Sequence, residues 1–365
     1  MAQVTLEHVN KVYAGNVDAV KDLMLICPDG GFLALLGPSG CGKTSTMRMI
    51  AGLETVTRGT IRIGERVVNR LTPSERNIAM AFERYGLYPH LTVYDNIAYP
   101  LRLRRQPEKE ILSLVAAVVD QLRLIDVIDS RPGNLSLGQQ QRVSLARALV
   151  RQPTVFLLDE PLSHLELELR ELMRSELKRL HQEVGHTTIY VTHDQSEALA
   201  LADLVAVMNF GVLQQVAPPA TIYYEPANMF VAGFVGDPPT DFIPFIVQGN
   251  QGKVMLKHES GFALPLPERY RAAGQAGRLP SPITVGIRPP NLTVVPAGTA
   301  KEGLPAEVVV AEPLGEVTLV TARVGDVVVR AETTHMDWTP EQAVRLRLAP
   351  EAIRLFDPHS GDAVS

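Results

Sequence analysis

The sequence is poor in three features that mark particular classes of protein. It has only two cysteines, so it predicts neither a disulfide framework nor a cysteine metal site and fits a reducing compartment. Its formal net charge of -5 argues against a nucleic-acid partner held by a broad basic surface. It has no charged-then-apolar leader and no apolar run of the ~18 residues that a membrane helix needs. We therefore expect a chain that does not itself cross a membrane.

The chain of 365 residues is longer than one typical domain, and its pattern of apolar and polar residues changes once along the sequence. Up to about residue 235, short apolar runs alternate with helical patterns, which predicts an α/β fold with a buried parallel sheet and helices on both faces. The clearest helical pattern runs from Leu165 to Val184. From residue 236, short alternating runs punctuated by Gly and Pro predict a small β-barrel or sandwich. The predicted domains are therefore residues 1–235 and 236–365.

The stretch "NLSLGQQQR", residues 134 to 142, marks the start of a helix. A Ser or Asn side chain here can accept hydrogen bonds from the first free N–H groups, and the apolar spacing that follows buries one face. An ordinary core helix has no need of the turn Ser136-Leu137-Gly138 at its exposed positive end. The pattern favours an anionic ligand at this end of the helix.

The stretch "GPSGCGKTS", residues 37 to 45, lies between the apolar strand "FLALL" and a helical pattern. It fits G-x-x-x-x-G-K-T, whose glycines let backbone N–H groups surround phosphates. Lys43 then reaches the β- and γ-phosphate oxygens, and Thr44 supplies a hydroxyl to Mg²⁺. A chance Gly-rich turn is the competing interpretation, and the order of strand, loop and helix argues against it.

Two other apolar strands end in polar residues. "TVFLLDEP" ends in Asp159, which is suited to hold Mg²⁺, and Glu160, which is suited to polarise a water for attack on the γ-phosphate. "TIYVTHDQ" ends at His193, which is suited to hydrogen-bond the γ-phosphate, although it could also be a neighbour of a helix cap at Asp194. In a doubly wound sheet such strand ends share the ligand-binding edge.

These motifs, in this order, resemble the nucleotide-binding subunit of an ABC transporter. "LSLGQQQR" is close to that family's LSGGQ signature, and "GIRPPNLTVV" with "EPLGEVTLVTARV" is similar to the C-terminal OB-like tandem barrel, the TOBE module, of MalK-like carbohydrate and polyol importers. The resemblance covers essentially the whole chain. It implies a P-loop ABC-type ATPase domain followed by a smaller all-β regulatory domain.

The resemblance implies ATP and Mg²⁺ as cofactors and a head-to-tail pair of ATPase chains. Each ATP then lies between the phosphate loop of one chain and the signature of the other, so the anion at Ser136 is the nucleotide of the partner. The residues expected to contact nucleotide are Tyr13 (stacked on adenine), Gly37, Pro38, Ser39, Gly40, Cys41, Gly42, Lys43, Thr44, Ser45, Ser136, Gly138 and Gln139. The implied partners are permease subunits at the cytoplasmic face of the membrane and, indirectly, a solute-binding protein.

Three positions depart from the family pattern. Leu137 replaces the first of two signature glycines, and because leucine disfavours positive φ we expect a strained turn there. Glu83 replaces a glutamine that ligates Mg²⁺, and it remains an oxygen ligand. Glu166 replaces an aspartate at the dimer contact and has a longer arm. The groups that act on the chain's own nucleotide are intact, so the pattern suits a heterodimer with a second, different ATPase; a homodimer with two slow sites is the alternative.

Three classes of function fit a nucleotide-binding chain of this kind. The first is the energy-coupling ATPase of an importer for a sugar, polyol or glycerol-type solute. The second is a weakly hydrolysing regulatory subunit whose C-terminal barrel senses an ion or a protein. The third, a soluble ABC ATPase of translation or DNA maintenance, is disfavoured because such proteins usually carry a fused second cassette, a coiled coil or a basic surface.

Overall fold

The computed structural model describes residues 2–81, 85–163, 165–250, 253–298, 303–335 and 337–364. The chain divides into two units, residues 1–219 and 220–365. This division lies N-terminal to the boundary predicted between residues 235 and 236. The reason is a buried cation of the second unit: Arg288 donates hydrogen bonds to the carbonyl oxygens of Val235 at 2.6 Å and Tyr223 at 2.7 Å. These bonds tie the segment 220–235 to the C-terminal unit.

The first unit contains ten strands and six complete α-helices, and a further α-helix begins at its last residue. The strands are β1 (Val4–Tyr13), β2 (Val17–Cys27), β3 (Phe32–Leu36), β4 (Arg58–Ile63), β5 (Arg66–Val67), β6 (Ile78–Ala81), β7 (Val155–Asp159), β8 (Thr187–Thr192), β9 (Leu204–Asn209) and β10 (Val212–Ala217). The helices are α1 (Lys43–Ala51), α2 (Val93–Leu103), α3 (Glu108–Gln121), α4 (Leu137–Leu149), α5 (Leu167–Val184) and α6 (Gln195–Leu201). These counts refer to the described ranges.

A six-stranded sheet with the order β10-β9-β3-β8-β7-β6 forms the centre of this unit. Its strands pair in parallel except β10, which is antiparallel to β9. Every residue of β3 and β8 is buried, as expected for strands that are covered on both faces. The predicted α/β fold with a buried parallel sheet is confirmed.

A second, four-stranded antiparallel sheet with the order β2-β1-β4-β5 also belongs to the first unit, and it was not predicted from the sequence. Buried side chains of this sheet, of α1 and of the central sheet form one hydrophobic core, which includes Leu6, Leu25, Met47, Leu157 and Ile189. The apolar residues of α1, Met47 among them, thus pack against side chains of both sheets.

The helix α5 begins at Leu167 and ends at Val184, and Gly185, with a φ of 68°, caps it in a left-handed conformation. Its bounds agree with the predicted helix over 165–184 to within two residues at the start. Met173, Leu177 and Leu180 are buried along it. Across the described part of the chain, no helix is both long enough and apolar enough to span a bilayer.

The second unit is built mainly of strands, as predicted. They are β11 (Asp241–Asn250), β12 (Lys253–Lys257), β13 (Ala263–Pro265), β14 (Ile283–Ile287), β15 (Leu292–Pro296), β16 (Leu304–Pro313), β17 (Thr318–Val324), β18 (Val327–Thr333), β19 (Ala343–Leu348) and β20 (Arg354–Phe356), with short helices α7 (Pro219–Tyr224), α8 (Met229–Phe234) and α9 (Arg271–Gln275). Two antiparallel five-stranded sheets, β13-β12-β11-β14-β20 and β15-β19-β16-β17-β18, enclose one apolar core.

Candidate active site

The carboxyl ends of β3, β8 and β7 lie side by side in the central sheet. Leu36 pairs with Thr192, and Asp159 pairs with Val191 one residue earlier on the same strand β8. The chain segments that follow these strands therefore leave the sheet at one edge. They are the phosphate-loop stretch, the turn that carries His193 and the turn that carries Glu160, which are three of the segments singled out by sequence.

The phosphate-loop stretch needs glycine at two of its positions. Gly42 has a φ of 104°, and a Cβ added there would lie 2.3 Å from the carbonyl oxygen of Ala19. A Cβ added at Gly37 would lie 2.3 Å from the carbonyl oxygen of Met208. Side chains at these positions would push the loop away from its neighbours. The backbone thus turns tightly between β3 and α1, which begins at Lys43.

Lys43 is buried inside the turn of this loop, with only 5% of the residue exposed. Its Nζ atom donates hydrogen bonds to the carbonyl oxygens of Gly37 at 2.8 Å and Pro38 at 3.0 Å, and the Sγ atom of Cys41 lies at 3.8 Å. All three of these acceptors are uncharged. The loop therefore holds a positive charge at the N-terminus of α1, which is the arrangement that binds phosphate groups.

The Cys41 thiol belongs to the same loop and is buried. Burial raises the pKa of this thiol, although the nearby Lys43 ammonium lowers it. A thiol of raised pKa is a poor nucleophile and a poor metal ligand at neutral pH. Cys41 and the buried Cys27 are both free cysteines.

Tyr13, at the end of β1, lies beside the first turn of α1. Its hydroxyl is 3.1 Å from Oγ of Ser45, and the Nζ atom of Lys11 lies 4.6 Å from the centre of its ring. Lys11 is itself held by Glu54 at 2.9 Å. The structure thus brings an aromatic ring next to the phosphate loop, and its stacking on adenine stays a prediction.

Glu160 and His193 face each other across the ends of β7 and β8. Oε2 of Glu160 lies 3.1 Å from Nδ1 of His193, and their side chains are 25% and 56% exposed. Glu160 has a φ of 44°, which is uncommon for a residue with a side chain, and its amide donates to the carbonyl oxygen of Val191 at 2.9 Å. Backbone strain of this kind is typical of functional residues that are held in place by their surroundings.

The helix α4 begins where the sequence predicted, with Ser136 as its N-cap. Oγ of Ser136 accepts from the amide of Gln139 at 3.3 Å, and the amide of Ser136 donates to Oε1 of Gln139 at 2.9 Å, which is a capping box. Leu137 is the first residue of the helix, and its φ is not positive. The prediction of a strained turn at Leu137 was therefore wrong, because a helical conformation suits leucine.

Gly138 is buried where α4 approaches α5. A Cβ added to Gly138 would lie 3.1 Å from Cδ1 of Leu169. Its φ does not require glycine, so close packing of the two helices is the reason that a small residue fits here. This packing places the N-terminus of α4 beside the segment that follows Glu160. A second contact does the same: Nε2 of Gln141 donates to the carbonyl oxygen of Pro161 at 2.6 Å.

Comparison with family models matches two regions of the chain. Residues 20–163 match the ABC transporter family, and residues 285–356 match the TOBE domain. The first match contains the phosphate loop, the N-terminus of α4 and Glu160. The second lies within the all-β unit.

Curated relatives match the chain over its whole length. A trehalose/maltose import ATP-binding protein, MalK, of Thermococcus litoralis is 44% identical over 100% of this chain and 100% of its own length. The chain belongs to the import ATP-binding proteins of ABC transporters. A xylose/arabinose import ATP-binding protein, XacK, of Haloferax volcanii is 43% identical and covers 100% of this chain and 96% of its own length. An sn-glycerol-3-phosphate import ATP-binding protein, UgpC, of Bordetella pertussis is 44% identical over 93% of this chain and 91% of its own length.

Solved structures agree with this membership. A dimeric ATP-binding cassette in a post-hydrolysis state, bound to ADP and phosphate, is 29% identical with a TM-score of 0.53 and covers 59% of this chain and 98% of that chain. A subunit of a Clostridium perfringens ABC transporter complex is 25% identical with a TM-score of 0.58 and covers 61% of this chain and 90% of that chain. The import ATP-binding protein described here is accordingly an ATPase.

Sequence reasoning overlooked two residues of this ATP-binding protein that hold the segment after Glu160. One is Gln141, described above. The other is Arg170, whose guanidinium donates to the carbonyl oxygens of Ser163 at 3.4 Å and Leu165 at 3.1 Å and lies 3.4 Å from Asp194. Arg170 lies in the first turn of the charged, amphipathic helix α5. The sequence alone does not distinguish it from the solvent-exposed charged residues of the same helix.

The expected metal ligands are partly within the described residues. Thr44 lies in the first turn of α1 and Asp159 ends β7, so both are at the sheet edge that carries Glu160 and His193. A hydroxyl and a carboxylate are hard oxygen donors of the kind that Mg²⁺ prefers, so this donor set fits the ion. The third expected ligand, Glu83, lies outside the described residues. Glu166, the third departure from the family pattern, is exposed at the N-cap of α5 without a capping hydrogen bond from its side chain.

Proposed function

We propose that this chain hydrolyses ATP at the cytoplasmic face of a membrane to drive import of a sugar, polyol or glycerol-type solute through separate permease subunits. The names of its relatives, which import disaccharides, pentoses and glycerol phosphate, support the solute class. The observation that carries the hydrolytic role is the 3.1 Å pairing of Glu160 with His193 at the edge of the sheet that also carries the phosphate loop.

The residues of that edge have separate roles in the proposed reaction. The backbone N–H groups of the loop and Lys43 bind the β- and γ-phosphates of ATP. Thr44 and Asp159 hold Mg²⁺, which neutralises developing charge on the phosphates when it is bound. Glu160 orients and polarises the attacking water. His193 donates from Nδ1 to the Glu160 carboxylate and, in the form protonated on both ring nitrogens, from Nε2 to the γ-phosphate.

The N-terminus of α4 acts in the proposal on the nucleotide of a second chain. Ser136 is exposed, and the described contacts of its side chain are with Gln139 of the same helix turn. A capped helix N-terminus that is open to solvent still offers positive potential to a phosphate. The function of Ser136 is therefore proposed to require a second ATPase chain, with Gly138 allowing the helix tip to sit against α5.

The finer form of this proposal is a heterodimer with a second, different ATPase. Leu137 is unstrained, so its effect is steric: it leaves a branched apolar side chain, 49% exposed, at the helix tip that the partner's nucleotide approaches. Glu166 changes the reach of a carboxylate near the same contact. The phosphate loop, Glu160 and His193 are unaltered, so the partner's signature would complete the more active site.

Purification of the transporter from native membranes in mild detergent tests the proposal. We expect permease subunits to copurify with two distinct ATPase chains. If this chain is the sole ATPase, the heterodimer is wrong, and if no membrane protein copurifies, the importer role is wrong. Thermal unfolding of the associated solute-binding protein, screened against sugars, polyols and glycerol phosphates, identifies the solute, because a ligand that binds the folded state raises its Tm.

A further inference from the structure

The turn that carries His193 is only two residues long and joins β8 to α6. His193 is 56% exposed at its side chain, and the described side-chain contact that holds it is the one with Glu160. An exposed imidazole with one such contact has little packing to fix it. The position of His193 therefore depends on the backbone of residues 192 to 194.

Thr192, the last residue of β8, is hydrogen-bonded through its buried side chain to both the turn and α6. It is 2% exposed, and its Oγ1 atom accepts a hydrogen bond from the amide of Asp194 at 2.9 Å. The same hydroxyl donates to Oε2 of Glu197 at 2.8 Å. Because a hydroxyl has a single proton, donation to Glu197 leaves its lone pairs for the Asp194 amide. Glu197 thus orients the Thr192 hydroxyl, and this hydroxyl holds the backbone of the turn that carries His193.

Glu197 is a carboxyl group in a buried position on α6, with 2% of the residue exposed. Its Oε2 atom also accepts from the hydroxyl of Tyr190 at 2.7 Å. Asp194 closes the other side of the turn, because its Oδ1 atom accepts from the amides of Ser196 at 2.7 Å and Glu197 at 3.2 Å. An apolar side chain in place of Glu197 would deprive the buried hydroxyls of Tyr190 and Thr192 of this acceptor.

We propose that Thr192 is a positioning residue for hydrolysis, because its hydroxyl, which Glu197 orients, fixes the turn that presents His193 to Glu160. The inference deepens the proposed function and rests on the hydrolytic role of that pair. Loss of this hydroxyl leaves Glu160 and the phosphate loop in place and lets His193 move, and a displacement of about 1 Å at a catalytic group can cost on the order of 100-fold in rate.

Four variants of the full-length chain, each assembled with its transporter partners, separate this role from a purely structural one. Thr192→Val keeps the volume and removes the hydroxyl, whereas Thr192→Ser keeps the hydroxyl. Tyr190→Phe removes a hydrogen bond to the same Glu197 oxygen but none to the turn. Glu197→Gln keeps a carbonyl oxygen that can accept from both hydroxyls.

The measurements are kcat, nucleotide affinity and Tm of each variant. We expect kcat of Thr192→Val to fall by about tenfold or more, with nucleotide affinity within about threefold of the parent, since the phosphate loop is untouched. We expect Thr192→Ser, Tyr190→Phe and Glu197→Gln to retain kcat within about threefold, even where Tm falls as far as in Thr192→Val. If kcat follows Tm across all four variants, or if Thr192→Val turns over like the parent, the proposal is wrong.

A double-mutant cycle tests whether Thr192 acts through His193. In a His193→Ala background, we expect Thr192→Val to have no further effect on kcat. An equal loss in both backgrounds would overturn the positioning role. The failure of the proposed function itself would look different, because His193→Ala and the parent would then have the same turnover.

Discussion

The Nδ1 atom of His193 lies 3.1 Å from Oε2 of Glu160, although 33 residues separate the two in the chain. The pairing of β7 with β8 brings their carboxyl ends together, and the positive φ of Glu160 turns its side chain out of the line of the strand. A hydrogen bond between these atoms requires a proton on Nδ1 of His193. His193 therefore gives the Glu160 carboxylate a defined orientation at the sheet edge that also carries the phosphate loop.

Replacement of Glu160 by glutamine tests whether this carboxylate acts on the attacking water. We expect turnover to fall by about 100-fold or more, because an amide cannot polarise water as a carboxylate does. ATP affinity, measured by equilibrium binding, should stay within about threefold. The control is Glu168→Gln, which removes the same charge from the exposed first turn of α5 and should leave both quantities unchanged. Undiminished turnover in Glu160→Gln would favour the weakly hydrolysing regulatory subunit.

Substitutions at Leu137 test the finding that the signature turn is unstrained. Leu137 is helical and 49% exposed, so Leu137→Ala should change the free energy of unfolding by less than about 0.5 kcal/mol. Leu137→Gly should lower it by up to about 1 kcal/mol, because glycine loses more backbone entropy in a helix. Urea unfolding of the two variants provides the measurement. A gain in stability for Leu137→Gly would mean that leucine strains the turn.

The pH dependence of stability is expected to reflect Glu197. The pKa of this carboxyl is raised, chiefly because it is buried. Hydrogen bonds from Tyr190 and Thr192 lower the pKa in part, and the charges of Asp194 and Arg170 have smaller, opposite effects. A raised pKa in the folded state means that the protonated group favours folding. Its contribution is complete below the unfolded pKa, about 4.3, and is lost as pH rises through the folded pKa.

Glu197→Gln removes this titration, because the amide stays neutral. We expect the free energy of unfolding of the variant, minus that of the parent, to increase as pH rises from about 4.3 and then to level off. Chemical unfolding at several pH values gives this difference. A difference that decreases over the same interval would show that the folded state favours the ionised carboxylate.

The second unit offers a stability test that leaves the catalytic groups untouched. Asp241 is 8% exposed and accepts from the backbone amide of Arg330 at 2.6 Å and from its guanidinium at 2.6 Å. Asp241→Ala leaves both donors unpaired and should lower the free energy of unfolding by about 2 kcal/mol. Glu268→Ala removes one partner of an exposed ion pair with Arg271 and should cost less than about 0.5 kcal/mol. If urea unfolding shows that both variants lose the same free energy of unfolding, the buried contacts of Asp241 contribute no more than an exposed ion pair.

Local sequence signals were sufficient for much of the site. The Ser136 cap needs only a serine followed three residues later by a side-chain acceptor, and the phosphate loop needs only glycines and a lysine in fixed spacing between a strand and a helix. The sheet edge followed from three apolar strands ending in polar residues. These features depend on residues that are near one another in the chain.

Features that depend on tertiary packing were not predictable in this way. The antiparallel sheet of β1, β2, β4 and β5 pairs irregular strands whose alternation is broken by bulges, so its signal is weak. Glu197 lies in the first turn of α6, where an acidic residue is common, and only the fold shows that it is buried against Thr192 and Tyr190. The strain predicted at Leu137 assumed a positive φ, which leucine disfavours. Leu137 instead begins a helix, whose backbone conformation suits leucine. The contacts of Arg288 with the segment 220–235 are likewise tertiary and have no signal in the sequence.

ATP turnover per chain across a dilution series tests the central claim that nucleotide is held between two ATPase chains. Sedimentation in parallel gives the fraction of chains that are paired. We expect turnover to vanish where this chain is monomeric and to return with pairing, either at high concentration or when a second ATPase chain is added. Full turnover by the monomer, unchanged by dilution and by any second chain, would contradict the account.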